Sequence, residues 1–257
     1  MLLNARINYS PNFNIKKRSK KSIKFLVFHY TGMKSEKRAI QRLTNVQSEV
    51  ASHYLIKNNG KIVIFVPDLY VAWHAGVSAW KKYNFLNKNS IGIEISNPGH
   101  DFGYKKFSLK QINSLIYLCR FLIKKYKINK KNILGHSDVA PLRKKDPGEK
   151  FPWEYLAKKK IGFWHNLTKK ELNKYRNKKC NKILENKFFT YLYKIGYSKN
   201  YKNQNEKLLI KAFQRRFRPQ LINGKIDQAR KKILASETEE TPSWSMDISK
   251  RPRLRKA

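Results

Sequence analysis

Apolar residues along the chain fall into two spacings, and their order predicts the architecture. Lys24–Tyr30 (KFLVFHY) and Ser90–Ser96 (SIGIEIS) are short runs rich in β-branched and aromatic residues, the pattern of strands buried on both faces. Ser52–Val66 (SHYLIKNNGKIVIFV) holds two such runs around Asn59-Gly60, a strong hairpin signal. Helical spacing appears in Ser35–Val50, through Ile40, Leu43 and Val46. It is stronger in Ser108–Tyr126, where Ile112, Leu115, Ile116, Leu118, Cys119, Leu122 and Ile123 make a wide apolar face behind a Ser108 N-cap. A short apolar run, Ile133-Leu134, follows. From residue 182 onward only helical spacing remains, in Lys182–Ile195, Glu206–Phe217 and Ile226–Leu234. The reading is an α/β fold: a mixed central β-sheet flanked by helices, followed by a small three-helix C-terminal domain. The expected divisions are 1–22 irregular, 23–165 the main domain, 166–181 a linker, 182–236 the helical domain and 237–257 a flexible tail.

Composition narrows this picture in two ways. No run approaches the roughly 18 apolar residues of a membrane span, and the N-terminus has Asn4 and Arg6 where a secretory signal would need an apolar stretch. The chain is therefore expected to be cytoplasmic, or exported without a recognisable signal. Lys and Arg total 57 against 17 Asp and Glu, a formal charge of +40. Such a charge suits a polyanionic partner, but lysine is scattered and asparagine abundant, as AT-rich codon usage would produce. No nucleic-acid reading element accompanies the charge, so no nucleic-acid partner is expected. Cys119 belongs to the helical apolar face, and nothing in the placement of Cys180 suggests a disulfide framework.

Candidate chemistry concentrates in Ile133–Trp153, ILGHSDVAPLRKKDPGEKFPW. Pro141, Pro147 and Gly148 forbid a helix through this loop and stiffen it, so His136, Lys144 and Asp146 can be held at fixed separation. Closing His136 and Asp146 onto one ion costs little loop entropy. Catalytic zinc sites usually take three protein ligands and leave one position open, so a third ligand is needed. His29, at the end of a buried strand and before Thr31-Gly32, is the nominee. Glu94 is the single charge in its apolar strand, and burying it costs several kcal/mol unless a partner pairs with it.

VFHYT, ASHYLI with NNGKI, WHAG, SIGIEISN and above all GHSDVAPLRKKDPGEKFPW together resemble the zinc N-acetylmuramoyl-L-alanine amidases of type 2. This family is related to peptidoglycan recognition proteins and phage T7 lysozyme, and the likeness is to its AmiD and AmpD subgroup. The resemblance covers roughly residues 20–160. It implies one Zn2+ per chain on His29, His136 and Asp146, and hydrolysis of the amide between N-acetylmuramic acid, intact or 1,6-anhydro, and L-Ala of the stem peptide. The partner is then peptidoglycan or its muropeptide fragments; the sequence leaves the oligomeric state open, with a monomer as the default expectation. Zinc would lower the pKa of its water to about 7 and polarise the amide. Glu94 would move the proton, and Lys144 would stabilise the oxyanion by about 3 kcal/mol. Trp73, His74 and Asn97 are candidate groove residues, while His53 reads as structural and His100 and His165 carry no motif. A non-catalytic peptidoglycan-binding protein is the alternative, although such receptors have usually lost a ligand that this chain keeps. AFQRRFRP and NGKID (Ala212–Asp227) resemble an appended peptidoglycan-binding domain, without the usual Thr after the Asp.

Overall fold

The computed structural model describes residues 5–227 apart from 176, 177 and 179. In chain order its strands are β1 (Ala5–Ile7), β2 (Phe13–Asn14), β3 (Phe25–Tyr30), β4 (Tyr54–Ile56), β5 (Ile62–Ile64), β6 (Val71–Ala72), β7 (Ala79–Trp80), β8 (Tyr83–Asn84), β9 (Ser90–Ile95) and β10 (Ile133–Gly135). The helices are α1 (Glu36–Thr44), α2 (Leu109–Tyr126), α3 (His136–Val139), α4 (Trp153–Lys158), α5 (Lys169–Tyr175), α6 (Lys182–Ile195) and α7 (Asn200–Phe217). Six strands form the main sheet in the order β1-β5-β4-β9-β3-β10. β3 runs parallel to both β9 and β10, and β4 is parallel to β9 but antiparallel to β5 across the expected hairpin. Gly60 turns that hairpin at φ +83°, and any Cβ there would lie 2.9 Å from the Lys110 carbonyl oxygen.

Alternation along β3 and β9 sorts the core. Leu26, Phe28, Ile91, Ile93 and Ile95 pack on α2 through Leu115, Leu118, Cys119 and Leu122. Phe25, Val27 and Leu134 point the other way and share a second apolar cluster with Phe188, Leu192, Leu209 and Phe213. α6 and α7 thus share an apolar cluster with this face of the sheet. α2 carries the predicted Ser108 cap as a full capping box with Gln111.

Three expectations need correction. Residues 1–22 are not irregular throughout: β1 extends the sheet edge beside β5, and β2 pairs with β6. Ala-Arg-Ile is too short to mark a strand by alternation, and backbone pairing, not burial, holds this exposed edge. The predicted helix over 35–50 stops at Thr44, where Asn45 caps a separate 3-10 turn over Val46–Ser48. α7 starts earlier than expected but kinks at Asn205, whose Oδ1 accepts the Leu208 N–H at 3.0 Å and restarts the helix near Glu206. The expected helix Ile226–Leu234 beyond Asp227, and the tail 237–257, lie outside the described residues.

Candidate active site

The site forms at the carboxyl ends of β3, β9 and β10, where open α/β sheets usually present functional groups. Register places His29 directly beside Glu94, and Gly135 beside Phe28, so His136 emerges next to His29 as the chain turns into α3. The loop that follows returns Asp146, whose carbonyl accepts the Ser137 N–H at 2.8 Å. His29 Nδ1, His136 Nδ1 and Asp146 Oδ2 then lie 2.9, 3.0 and 3.0 Å apart, all three residues buried.

Hydrogen bonding behind the trio determines which nitrogen faces inward. Ser90 gives its only hydroxyl proton to the Leu86 carbonyl at 2.6 Å, so its oxygen accepts from His74 Nε2 at 3.0 Å. His74 Nδ1 is then bare and accepts the His29 Nε2 proton at 3.1 Å, leaving the Nδ1 lone pair of His29 free. His136 Nε2 likewise donates to the Ala75 carbonyl at 3.1 Å and presents a bare Nδ1. Burial pushes His29 down to about 4, so the ring stays neutral. Burial alone would raise Asp146, but His136 and His29 beside it hold the carboxyl well below the usual range. Two imidazole nitrogens and a carboxylate oxygen therefore converge on one point, an arrangement that a cation resolves. The donor set fits a metal ion.

Glu94 is half-buried beside the trio, and its Oε2, shielded from solvent, has no hydrogen-bond partner among the described residues. Among the described residues this oxygen lacks the partner expected from its apolar strand. Burial first and the Asp146 charge second raise its carboxyl to about 8, while Lys144 works in the opposite direction. A cleft of about 380 Å³ opens above these groups, walled by Tyr30, Met33, Arg42, Asp101, Arg143, Lys144 and Lys145 among others. Lys144 is half-buried and Lys145 exposed.

The three groove candidates fare differently. His74 reaches the cleft floor, but both its ring nitrogens are engaged behind His29, so it orients that ring. A Cβ on Gly92 would lie 2.4 Å from His74 Cγ, so the bare glycine backbone makes room for the imidazole. Trp73 stands outside the cleft wall, with its indole N–H on Asn14 Oδ1 at 2.6 Å. Asn97 is buried and bridges Lys105 O at 2.8 Å and Gly99 N at 3.1 Å, which locks the turn after β9. Sequence reading missed Arg143. Its guanidinium binds the Ala75 and Val77 carbonyls, clamping the WHAG segment to the loop that carries His136 and Asp146. His53 donates to Tyr70 O at 3.0 Å and accepts the Gly92 N–H at 3.0 Å, a structural pairing of strands. His100 joins Tyr30 to Glu149.

A mixed sheet with two imidazoles, a carboxylate and a lone raised acid around one cleft is the equipment of a metallohydrolase. Residues 19–149 match the N-acetylmuramoyl-L-alanine amidase family. The chain is 36% identical over 219 residues to the AmiD amidase of Escherichia coli K12, an alignment covering 80% of this chain and 78% of that protein. It is 33% identical to the 1,6-anhydro-N-acetylmuramyl-L-alanine amidase AmpD of Haemophilus influenzae, over 61% of this chain and 93% of that one. The structure of E. coli AmiD in complex with its substrate anhydro-N-acetylmuramic acid-L-Ala-D-γ-Glu-L-Lys superposes with a TM-score of 0.73 at 34% identity, over 87% of this chain and 91% of that one. AmpDh3 of Pseudomonas aeruginosa with anhydromuramic pentapeptide gives 0.73 at 29% identity, over 88% and 95% of the two chains. The chain belongs to the N-acetylmuramoyl-L-alanine amidase family and is a hydrolase of that kind. No helix among the described residues is long and apolar enough to cross a membrane.

Proposed function

We propose that this chain is a zinc-dependent amidase that cuts the bond between N-acetylmuramic acid, in its anhydro form above all, and the L-Ala that opens the stem peptide. The observation that carries this reading is the convergence of two imidazole nitrogens and the Asp146 carboxylate beside the unpaired Glu94. Two nitrogens and one carboxylate suit zinc, held by His29, His136 and Asp146. Bound zinc supplies Lewis acidity, polarising an amide carbonyl and lowering the pKa of water.

The chain's own residues supply the rest. Glu94, whose carboxylate form a cation held by the neighbouring trio would favour, takes a proton from the attacking water and returns it to the departing L-Ala amine. Lys144, close enough to act on the charge of both Glu94 and His29, offsets the negative charge that develops on the carbonyl oxygen. Arg42 and Lys145 on the cleft wall provide cations for the carboxylates of the stem peptide. AmiD and AmpDh3, both solved with anhydromuramyl peptides, support this substrate class.

Incubating the zinc-loaded chain with anhydro-muropeptides and with intact sacculi, then weighing the products by mass spectrometry, tests the reading. Free peptides beginning at L-Ala are expected. Unchanged muropeptides and sacculi would contradict it.

A further inference from the structure

α7 carries an arginine into the back of the metal loop. Arg216 is 2% exposed, and its Nη1 donates to Asp138 Oδ2 at 2.6 Å while Nη2 donates to the Ile133 carbonyl at 3.1 Å. Its guanidinium lies 4.0 Å from the centre of the Trp153 ring and 4.5 Å from that of Phe163. Tyr197, just after α6, donates its hydroxyl to Asp138 Oδ1 at 2.7 Å. Asp138 in turn accepts the Gly135 N–H at 2.8 Å. Gly135 and Asp138 bracket His136, so every acceptor contact of this carboxylate fixes the turn on which the ligand sits. A second tie runs from Tyr201 on α7, whose hydroxyl meets the Val139 carbonyl at 2.8 Å.

A fully buried ion pair of this kind is a poor source of net stability, because desolvating both charges costs about as much as their attraction returns. It does impose direction: the planar fork of arginine fits one carboxylate and one carbonyl at a single setting. Both Arg216 and Tyr197 lie beyond residue 149, where the family match ends. The C-terminal helices therefore add supports to the metal loop from outside the segment that defines the family.

We propose that Arg216 and Tyr197 are positioning residues for His136, acting through Asp138, and that α6 and α7 set the metal affinity of the site. This inference rests on the zinc assignment above, but its test reads metal binding and not cleavage. The two therefore fail separately: a chain that binds zinc and leaves muropeptides intact sinks the functional reading alone.

The experiment uses the full chain, stripped of metal, and measures zinc affinity by competition with a chromophoric chelator below the melting transition of each variant. Arg216→Met is expected to weaken zinc binding about 10- to 100-fold. Arg216→Lys, which keeps charge but not the fork, should fall between Met and the parent, and Tyr197→Phe should weaken binding roughly threefold to tenfold. Leu209→Ala, a cavity on the same buried face of α7, should lower the melting temperature and leave affinity unchanged. Unchanged affinity in folded Arg216→Met and Tyr197→Phe would overturn the proposal, as would an equal loss in Leu209→Ala. Should Arg216→Met fail to fold, Tyr197→Phe and Arg216→Lys decide the matter on the same terms.

Discussion

The two faces of the central sheet come from the same strands by the same alternation, yet their contents are opposite. Toward α2 the strands present Leu26, Phe28, Ile91, Ile93 and Ile95, and α2 answers with Leu115, Leu118 and Leu122. Toward α6 and α7 the odd positions of β3 run Phe25, Val27 and then His29, while β9 gives Ser90, Gly92 and Glu94. Behind these stand His74 and the buried Asp138–Arg216 pair. An apolar face contributes stability and tolerates small shifts. A catalytic face needs fixed directions, which only hydrogen-bonded chains of polar groups supply, and each such group must be satisfied when buried.

Perturbing one face at a time sharpens this contrast. The largest effect is expected from His136→Ala or Asp146→Ala, which should abolish stoichiometric metal binding, read by elemental analysis, and activity with it. Glu94→Gln should keep the metal and lower kcat about 10²- to 10⁴-fold, measured on a muropeptide at saturating concentration. On the opposite face, Leu115→Ala should cost about 2–5 kcal/mol of unfolding free energy in denaturant melts, with zinc affinity unchanged. Loss of affinity there would erase the distinction between the faces. Ser90→Ala leaves His74 free to choose its tautomer, so a roughly 10-fold weaker zinc affinity is expected at nearly normal stability.

A further effect is a pH slope. In the metal-free protein Glu94 keeps its proton up to about 8, whereas the unfolded carboxyl releases it near 4.5. The folded state therefore binds more protons between those values, and this group makes stability fall as pH rises through the window. His29, depressed to about 4, contributes the opposite slope below its ordinary 6.5. Comparing melts of the metal-free parent and Glu94→Gln isolates Glu94: the parent should lose stability relative to the variant between about pH 5 and pH 8.

The legible parts of this molecule are those written in local pattern. β3, β9, the hairpin and α2 carry strong spacing, and His29, His136 and Asp146 could be nominated because a rigid loop displays an imidazole and a carboxylate and a strand end displays a second imidazole. What stayed hidden depends on tertiary geometry. His74 lies in a segment that looks like groove lining, and only the chain from Leu86 O through Ser90 shows that it serves His29. Asn97 resembles a polar donor for substrate until its contacts to Lys105 and Gly99 are seen. Arg216 was invisible for a different reason: a helical pattern marks Leu209 and Phe213 as buried but gives no sign that the arginine beside them is buried too. One weak clue was available in Asp138, an acid close after the apolar run Ile133-Leu134 and directly before Val139-Ala140.

The central claim is that three side chains distant in sequence hold one zinc ion. Anomalous diffraction from crystals of the full chain, recorded on either side of the zinc absorption edge, tests it most directly. The account predicts a single strong peak among His29 Nδ1, His136 Nδ1 and Asp146 Oδ2. Active crystals with no anomalous peak at that position would contradict it.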